Sequence, residues 1–335
     1  MLRRRRDIDG AVVVVTGASS GIGRATARGF AERGARLALA ARTPEDLHAA
    51  AGECEQRGGQ AIAVPTDVAD EAAVQELARR TVERYGRIDV WVNDAGVIAY
   101  GLFEETPTDV FRRVVETNLF GEIHGARAAL AQFRAQAGGG VIVNVASLWG
   151  RVTSPYVTPY VVSKFGIRAL SECLRQGLKD LQGSEDIHIC TVLPESIDTP
   201  IFRHAANYTG RPVRPVPPIV DPERVARVIV RLARRPRPEV TVGWMGHALE
   251  WGDAVAPRRV MNKVMPLAFD LAVFGRGSAE PAPGNLFAPM PELNGVDGGW
   301  RGTPGAKLRR RAVAGALALA PVVGAGVAGR RLSRR

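Results

Sequence analysis

The chain contains few of the residues that build disulfide frameworks and metal sites. Its 335 residues include only three cysteines and five histidines. Cys54, Cys173 and Cys190 lie far apart and are odd in number, so their spacing matches neither a disulfide framework nor a zinc site. The histidines occur singly, which argues against a histidine-based metal centre. We therefore predict no metal site.

Aromatic residues are also scarce, at 6% of the chain, although a formal net charge of +11 invites a nucleic-acid interpretation. The charge lies at the ends: Arg3–Arg6 contribute four positive charges, and residues 300–335 contribute nine with no acid. Subtracting these 13 charges leaves −2 for residues 7–299. A nucleic-acid surface normally spreads Lys and Arg across a folded face, often with aromatic residues between them. Nucleic acid is therefore not among the expected partners.

The start of the chain has no long apolar run. Met1–Asp7 is charged and only a short apolar run follows, which is not the pattern of a signal peptide. With so few cysteines, this favours a reducing, cytoplasmic setting. An apolar fraction of 46% with 24% charged residues fits a globular protein with a sizeable core.

Apolar runs of strand length alternate with helical stretches along most of the chain. Strands are predicted near residues 11–16, 36–41, 60–65, 88–92, 141–146, 187–193 and 239–242, and helices near 22–33, from 43 onward, 70–85, 108–137, 158–182 and 221–234. This alternation predicts an α/β fold, a Rossmann-like doubly wound parallel sheet with helices on both faces. Ligands of such sheets bind at the carboxyl ends of the strands, where the strand order reverses.

We expect one domain over residues 9–243, preceded by a basic N-terminal arm of residues 1–8. Residues 244–306 form an extension that is helical to about residue 274 and then, in a stretch rich in Gly and Pro, an extended tail. Residues 307–335 contain 18 uncharged residues, Ala312–Gly329, between basic flanks. Their length approaches a membrane span and the flanks suit anionic lipids, but the Ala- and Gly-rich run with Pro321 inserts weakly. Membrane association, a disordered tail and a helix packed on a partner subunit remain alternatives.

The stretch TGASSGIG at residues 16–23 directly follows the first predicted strand and opens a helix. Gly17 permits a tight turn, Gly21 lets the backbone approach a pyrophosphate, and Gly23 allows close packing of helix against strand. The helix N-terminus then offers free N–H groups to phosphates. This context predicts a dinucleotide site, with a turn that binds nothing as the alternative.

The end of the second predicted strand bears on which dinucleotide binds. NAD-binding versions of this unit place an acid about 20 residues on, where it holds the ribose 2′-OH. Here the strand ends in Arg42 and Thr43 with no acid. Because a guanidinium can bind a 2′-phosphate, NADP(H) is predicted over NAD(H). A solvated arginine is the alternative.

Further motifs follow in order: VNDAG at residues 92–96, Asn118, Ser147 and, thirteen residues later, YVVSK from Tyr160 to Lys164. Together with TGASSGIG, they make residues 9–243 resemble the short-chain dehydrogenase/reductase family. The resemblance implies an NADP(H)-dependent oxidoreductase that interconverts a carbonyl and a secondary alcohol on a small-molecule substrate. It also implies a homodimer or homotetramer that pairs through the helices at 108–137 and 158–182.

The residue chemistry at this centre is consistent without the resemblance. Positions i and i+4 share a helix face, so Lys164 lies beside Tyr160. A free tyrosine has a pKa of about 10, too high for proton exchange near neutrality, and a nearby cation lowers such a value. Ser147, at a strand end, can polarise the substrate carbonyl. Tyr160 is thus predicted as general acid/base and, with Ser147, as the substrate contact. The resemblance adds a ribose contact for Lys164 and support of a relay water for Asn118.

The turn and the strand end predict cofactor contacts at Gly17, Ser19, Ser20, Gly21, Ile22, Gly23 and Arg42. The resemblance adds the adenine-lining Asp67 and Val68, the loop residues Asn93, Ala95 and Gly96, Tyr160 and Lys164, and Pro194, Ile197 and Thr199 over nicotinamide and diphosphate. Two positions depart from the family pattern. Asp94 stands where a second asparagine is usual, and Glu195 stands where glycine is usual.

Residues 200–220 occupy the place of the family's variable substrate lid. The lid contains five polar residues that either contact an anionic or polar substrate or are solvated: Arg203, His204, Tyr208, Arg211 and Arg214. Trp149 is a candidate for an apolar wall of the substrate pocket. None of these residues identifies the substrate. Three other functions stay open: a sugar-nucleotide epimerase or dehydratase, which usually has the tighter TGxxGxxG spacing, a non-catalytic NADP-binding regulator, and a membrane-surface or interaction protein that acts through residues 243–335.

Overall fold

The computed structural model describes residues 6–179, 184–243, 269–290 and 293–301. Nine strands occur in this part of the chain: β1 Val12–Thr16, β2 Arg36–Ala41, β3 Gln60–Pro65, β4 Val90–Asn93, β5 Ala99–Tyr100, β6 Gly140–Val145, β7 Ile187–Pro194, β8 Ala206–Asn207 and β9 Glu239–Val242. The α-helices are α1 Gly21–Ala31, α2 Pro44–Gln56, α3 Glu71–Tyr85, α4 Thr108–Val115, α5 Gly121–Ala135, α6 Thr158–Lys179 and α7 Pro222–Arg234.

Seven of the strands form one parallel sheet in the order β3-β2-β1-β4-β6-β7-β9. The order reverses between β1 and β4, because the chain first builds outward to β3 and then returns to the other side of β1. The predicted doubly wound α/β fold is therefore confirmed. The reversal places the carboxyl ends of β1 and β4 side by side, where a ligand crevice opens in folds of this kind.

Alternate residues of β1 explain why both faces of the sheet are covered. Val13 and Val15 pack with Phe30 in the cluster beneath α1, α2 and α7, whereas Val14 packs with Trp91 in the cluster beneath α3 and α5. Successive strand side chains point to opposite faces. A strand buried on both faces must therefore read as a continuous apolar run, as VVVVT does.

The helical stretch predicted over residues 108–137 is interrupted. A π-helical turn, Glu116–Phe120, separates α4 from α5, and the N–H of Gly121 donates to the carbonyl of Glu116, five residues back. Such single-turn π segments often occur at functional sites. This one contains Asn118, whose side chain bonds to the main chain of a neighbouring loop. The periodicity of the sequence carries no sign of this insertion.

The extension beyond β9 is described in part. Residues 269–273 are helical, in keeping with the predicted helix, while residues 244–268 and the tail at 307–335 lie outside the described residues, as does most of the N-terminal arm. Residues 275–290 and 293–301 are largely irregular, as their Gly and Pro content predicts, yet they pack against the body, where Leu286 is fully buried. Within the described ranges, no helix combines the length and apolar character that crossing a membrane requires.

Candidate active site

A single groove runs along the carboxyl ends of the central strands and contains most of the predicted site residues. Those that line it are Gly17, Ser19, Ser20, Gly21, Ile22, Arg42, Asp67, Val68, Ala95, Gly96, Ser147, Tyr160, Lys164, Pro194, Ile197 and Thr199. Three other predicted site residues do not line the groove: Gly23 and Asn118 contact residues that line it, and Asn93 directly precedes one in the chain.

The glycine turn has the shape of a phosphate cradle. Gly17 and Gly21 adopt positive φ angles of 70° and 53°. A Cβ added at Gly17 would lie 2.9 Å from the Cα of Ala95, and one added at Gly23 would clash with the carbonyl of Gly17. The Ser20 side chain makes no capping bond to α1. The turn thus fits a dinucleotide diphosphate, because its backbone and a serine hydroxyl line the groove at the N-terminus of α1. The first N–H of that helix, of Gly21, donates to the Gly295 carbonyl at 2.8 Å in this structure.

The floor of the turn is tied to the neighbouring strand. The Thr16 hydroxyl accepts hydrogen bonds from the N–H groups of Asp94 (3.1 Å) and Ala95 (3.2 Å). Asn93 is buried, accepts from Trp91 Nε1 at 2.7 Å and donates to Asn144 Oδ1 at 3.0 Å. Asn93 therefore braces β4 against β6 and stabilises the loop that faces the groove.

Ser147, Tyr160 and Lys164 converge at the centre of the groove. Ser147 follows β6 and its Oγ accepts from the N–H of Trp149 at 3.1 Å. Tyr160 and Lys164 share one face of α6, and the Lys164 ammonium lies 5.5 Å from the centroid of the Tyr160 ring while donating to the carbonyl of Val145 at 2.8 Å. This bond fixes the ammonium beside the tyrosine. A hydroxyl, a phenol and a cation therefore line one groove, the set needed to bind and protonate a carbonyl oxygen.

Asn118 is fully buried in the π-helical turn. Its Oδ1 accepts from the N–H of Val97 at 2.8 Å, and its Nδ2 donates to the Val97 carbonyl (2.9 Å) and to Ser163 Oγ (3.0 Å). Ser163 Oγ in turn donates to the carbonyl of Tyr160 at 2.7 Å. Asn118 thus connects the wall of the groove to the helix that carries the tyrosine.

Two arginines and an aspartate lie at the end of the groove nearest β2 and β3. Arg113 pairs with Asp67 at 2.5 Å. Burial acts to raise the pKa of Asp67, but the Arg113 hydrogen bond, the Ala69 N–H and the charges of Arg113 and Arg42 together lower it. Arg42 donates to the carbonyls of Asn285 (2.5 Å) and Leu286 (2.9 Å). Burial lowers the pKa of its guanidinium, and among the described residues no carboxylate forms an ion pair with it. Sequence reasoning did not single out Arg113, which lies in a helix without any motif.

The two positions that depart from the family pattern both line the groove. Burial raises the pKa of Asp94 to about 8, against the attraction of Lys164 and a hydrogen bond from the Gly23 N–H. Glu195 is buried, and its N–H donates to the Val242 carbonyl at 3.1 Å. A third acid, Glu122 on α5, is buried without a hydrogen-bond partner for its carboxyl group among the described residues, and burial raises its pKa well above the ordinary value.

The side of the groove next to Tyr160 is largely apolar. Trp149 lies edge-on to Tyr160, with 5.9 Å between ring centroids, and 6.0 Å from the ring of Phe269. Phe269 belongs to the extension and stacks on Tyr156 at 5.8 Å. The hydroxyl of Ser154 also lines this side and has no hydrogen-bond partner among the described residues.

The polar residues of the predicted lid mostly turn away from the groove. Among the five, only His204 lines it. Arg203 donates to the carbonyl of Gly298 at 2.8 Å, and Arg211 pairs with Asp270 at 2.5 Å, so both bind the extension. Sequence reasoning could not find these partners, because the extension follows no motif.

One acidic cluster lies away from the groove. Asp221, Glu223 and Asp297 approach closely enough to hold a cation in geometric terms. Arg301 contacts Asp221 at 2.9 Å and Asp297 at 3.8 Å and offsets part of their charge.

Comparison with known proteins agrees with this arrangement. A family model described as short chain dehydrogenase matches residues 11–208, more than half of the chain. The uncharacterised oxidoreductase YxnA of Bacillus subtilis is 34% identical over 258 residues, which cover 76% of this chain and 72% of that protein. L-rhamnose 1-dehydrogenase (NAD(P)(+)) of a Sphingomonas species is 37% identical over 58% of this chain and 75% of its own length. The alcohol dehydrogenase of Thermococcus sibiricus, solved with 5-hydroxy-NADP, is 28% identical with a TM-score of 0.60 and covers 70% of this chain and 96% of its own. The chain belongs to the short-chain dehydrogenase/reductase family.

Proposed function

We propose that the protein is an NADP(H)-dependent oxidoreductase that interconverts a carbonyl and a secondary alcohol, with Tyr160 as general acid/base. One observation carries the proposal: Ser147, Tyr160 and Lys164 line the same groove as the glycine turn. A nicotinamide bound there supplies or accepts hydride at its C4. The protein must therefore hold the substrate oxygen and move one proton.

Each side chain at the centre has a distinct task. Ser147 donates a hydrogen bond to the substrate oxygen and orients the carbonyl. Tyr160 gives its phenolic proton to that oxygen during reduction and takes it back during oxidation. The Lys164 ammonium, 5.5 Å from the ring centroid, stabilises negative charge on the tyrosine oxygen. Asn118 is a positioning residue, because its bonds run to Val97 and Ser163 rather than into the groove.

Arg42 supports the preference for NADP(H). Its partly desolvated cation lacks a paired carboxylate among the described residues, so a 2′-phosphate would supply the missing charge. Two of the similar proteins bear on this point by their names, since one dehydrogenase uses NAD(P) and the Thermococcus structure contains 5-hydroxy-NADP.

The substrate has an apolar body in this proposal. Trp149, Phe202, Val216 and Phe269 line the groove beside the catalytic group. An apolar lining favours ketones and secondary alcohols whose remaining surface is hydrocarbon. The arginines of the lid are compatible with an apolar substrate, because Arg203 and Arg211 bind the extension rather than line the groove.

A homodimer or homotetramer is proposed through α4, α5 and α6. Phe120 is 48% exposed in the π-helical turn, and Val162 (47%) and Phe165 (36%) are exposed on α6. Exposed apolar side chains on one face often mark a subunit contact. Light scattering coupled to gel filtration tests this, since a mass near 35.9 kDa would exclude it.

Two other functions account less well for the residues. An epimerase or dehydratase usually has a tighter glycine spacing than residues 16–23, and a non-catalytic regulator would be expected to lack part of the catalytic set, which is complete here. Attachment to a membrane through residues 307–335 remains a prediction.

The proposal is tested with a panel of apolar ketones and their alcohols, followed through NADPH absorbance. The wild type should turn over at least one compound, and Tyr160→Phe should lose turnover while NADPH binding stays largely intact. NADPH binding without turnover of any carbonyl would favour the regulator, and unchanged activity of Tyr160→Phe would remove the assigned role.

A further inference from the structure

Residues 284–290 and 293–301, here called the strap, lie across the groove and outside the region that matches the family, residues 11–208. Four strap residues, Asn285, Pro289, Met290 and Asn294, line the groove together with the strand ends. The groove therefore runs between the body and the strap. The strap forms an outer wall rather than filling the site.

The first anchor of the strap lies at the end nearest β2. Arg42 donates to the carbonyls of Asn285 and Leu286, and Arg113 Nε donates to the same Leu286 carbonyl at 3.1 Å. The Leu286 side chain is fully buried in the cluster that also contains Tyr160. Two charged donors and one buried leucine hold this part of the strap.

The second anchor lies over the glycine turn. The N–H of Gly21, the first residue of α1, donates to the carbonyl of Gly295 at 2.8 Å. The side chain of the adjacent Asn294 donates to Asp46 at 2.6 Å. The strap thus passes directly over the helix N-terminus that faces a diphosphate.

The third anchor lies at the opposite end of the groove, beside Thr199. The N–H of Trp300 donates to Asp198 at 2.8 Å, and its indole N–H donates to the Thr199 carbonyl at 3.2 Å. The Trp300 ring meets Phe202 edge-on, with centroids 6.2 Å apart. Phe202 also lines the groove, so this anchor reaches the substrate side.

The three anchors coincide with three positions assigned to the cofactor: Arg42, Gly21 and Thr199. In this structure Arg42 and the Gly21 N–H donate to strap carbonyls, so a dinucleotide that uses these donors must displace those bonds. We infer that the strap lifts to admit the dinucleotide and then clamps it from outside through the contacts of Leu286, Asn294 and Trp300, which do not use those donors. NADPH then leaves only after the strap has opened at one or more anchors, so strap opening governs cofactor exchange. This inference rests on the proposed use of a dinucleotide at this groove.

The test measures the rate at which NADPH leaves its complex with the full-length protein. Excess NADP⁺ displaces NADPH in a stopped-flow instrument, and nicotinamide fluorescence reports its release. Leu286→Ala removes the buried anchor and Asn294→Ala removes the bond to Asp46. The matched control is Leu271→Ala, the same substitution in the extension at a side chain that is 60% exposed and outside the strap.

Leu286→Ala should raise the dissociation rate by about tenfold or more, because loss of a buried leucine weakens its segment strongly. Asn294→Ala should raise it by about two- to tenfold, as expected for one hydrogen bond. Leu271→Ala should stay within about twofold of the wild type. Unchanged rates in both strap variants, or tighter NADPH binding once the strap is weakened, would overturn the clamp.

A second measurement covers the case in which Leu286→Ala does not fold. Hydrogen exchange of peptides from the strap should slow when NADPH is added to the wild type, and equal exchange with and without NADPH would also overturn the clamp. The proposed function fails separately: a wild type that binds neither NADPH nor NADH contradicts the function itself, whereas normal binding with unaltered release in the strap variants contradicts only the clamp.

Discussion

Replacement of Arg42 by alanine tests how the protein chooses between NADPH and NADH. The guanidinium stands at the end of β2, where a 2′-phosphate would lie, and has no carboxylate paired with it among the described residues. A hydrogen bond to a charged group contributes about 1.5–3 kcal/mol. Arg42→Ala should therefore lower kcat/KM for NADPH by about 10- to 150-fold relative to its effect on NADH.

The ratio of the two cofactors isolates the phosphate contribution. Arg42 also donates to the strap carbonyls of Asn285 and Leu286, so its loss loosens the strap whichever cofactor is bound. That effect cancels in the ratio of kcat/KM values. Leu286→Ala serves as the control, because it loosens the same part of the strap by removing a buried apolar side chain, changes no charge and should affect both cofactors alike.

Initial rates with NADPH and NADH, measured on one substrate from the carbonyl panel, give the ratio for wild type and variants. Arg42→Lys should fall between wild type and Arg42→Ala, since it keeps the charge without the planar fork. If the ratio of kcat/KM for NADPH to kcat/KM for NADH in Arg42→Ala stays within about twofold of wild type, Arg42 does not bind the 2′-phosphate. A charged hydrogen bond would change this ratio by more than that.

Three further predictions concern residues beneath or beside the groove. Asn118→Ala should lower the free energy of unfolding in urea by about 2–3 kcal/mol, because it leaves the buried Val97 N–H without its acceptor; a change below about 0.5 kcal/mol would contradict the bonding described. Gly23→Ala should abolish NADPH binding in a fluorescence titration, since the new Cβ meets the Gly17 carbonyl, and wild-type affinity would count against the cradle. For Asp94, the pKa of about 8 lies above its ordinary 3.8, so the folded state holds the proton more tightly and stability falls as pH rises between these values. Asp94→Asn should therefore raise Tm by an amount that grows from pH 5 to pH 8 in calorimetry, and an equal gain at both pH values would disprove the raised pKa.

The sheet could be predicted from the sequence because a parallel sheet imposes a simple pattern. Strands such as β1 and the VIV segment of β6 are buried on both faces, so they read as apolar runs. The glycine turn and the pairing of Tyr160 with Lys164 could also be predicted from the sequence, because their geometry depends on residues close together in the chain. The π-helical turn at Asn118 was not predictable, since the Asn118 side chain bonds to Val97, a residue in a separate loop, and the local periodicity shows no sign of the insertion.

The strap escaped sequence reasoning for a different physical reason. Its contacts with Arg42 and Gly21 run through the carbonyls of Asn285, Leu286 and Gly295. Every residue has such a carbonyl, so the contacts leave no side-chain signature. The Gly and Pro content that predicted an extended tail also suits an irregular segment that packs closely. Phe269 lines the substrate side of the groove and could not be predicted either, because it lies in a segment without a motif.

Hydride transfer from labelled NADPH tests the central claim most directly. NADPH deuterated at either face of C4 is incubated with the best ketone of the panel, and the alcohol product is analysed by mass spectrometry. Wild type should transfer one deuterium from one of the two labelled forms to the carbinol carbon, and Tyr160→Phe should form essentially no labelled alcohol while still binding NADPH. Alcohol that forms without deuterium from either labelled form, or labelled alcohol from Tyr160→Phe at the wild-type rate, would contradict the account.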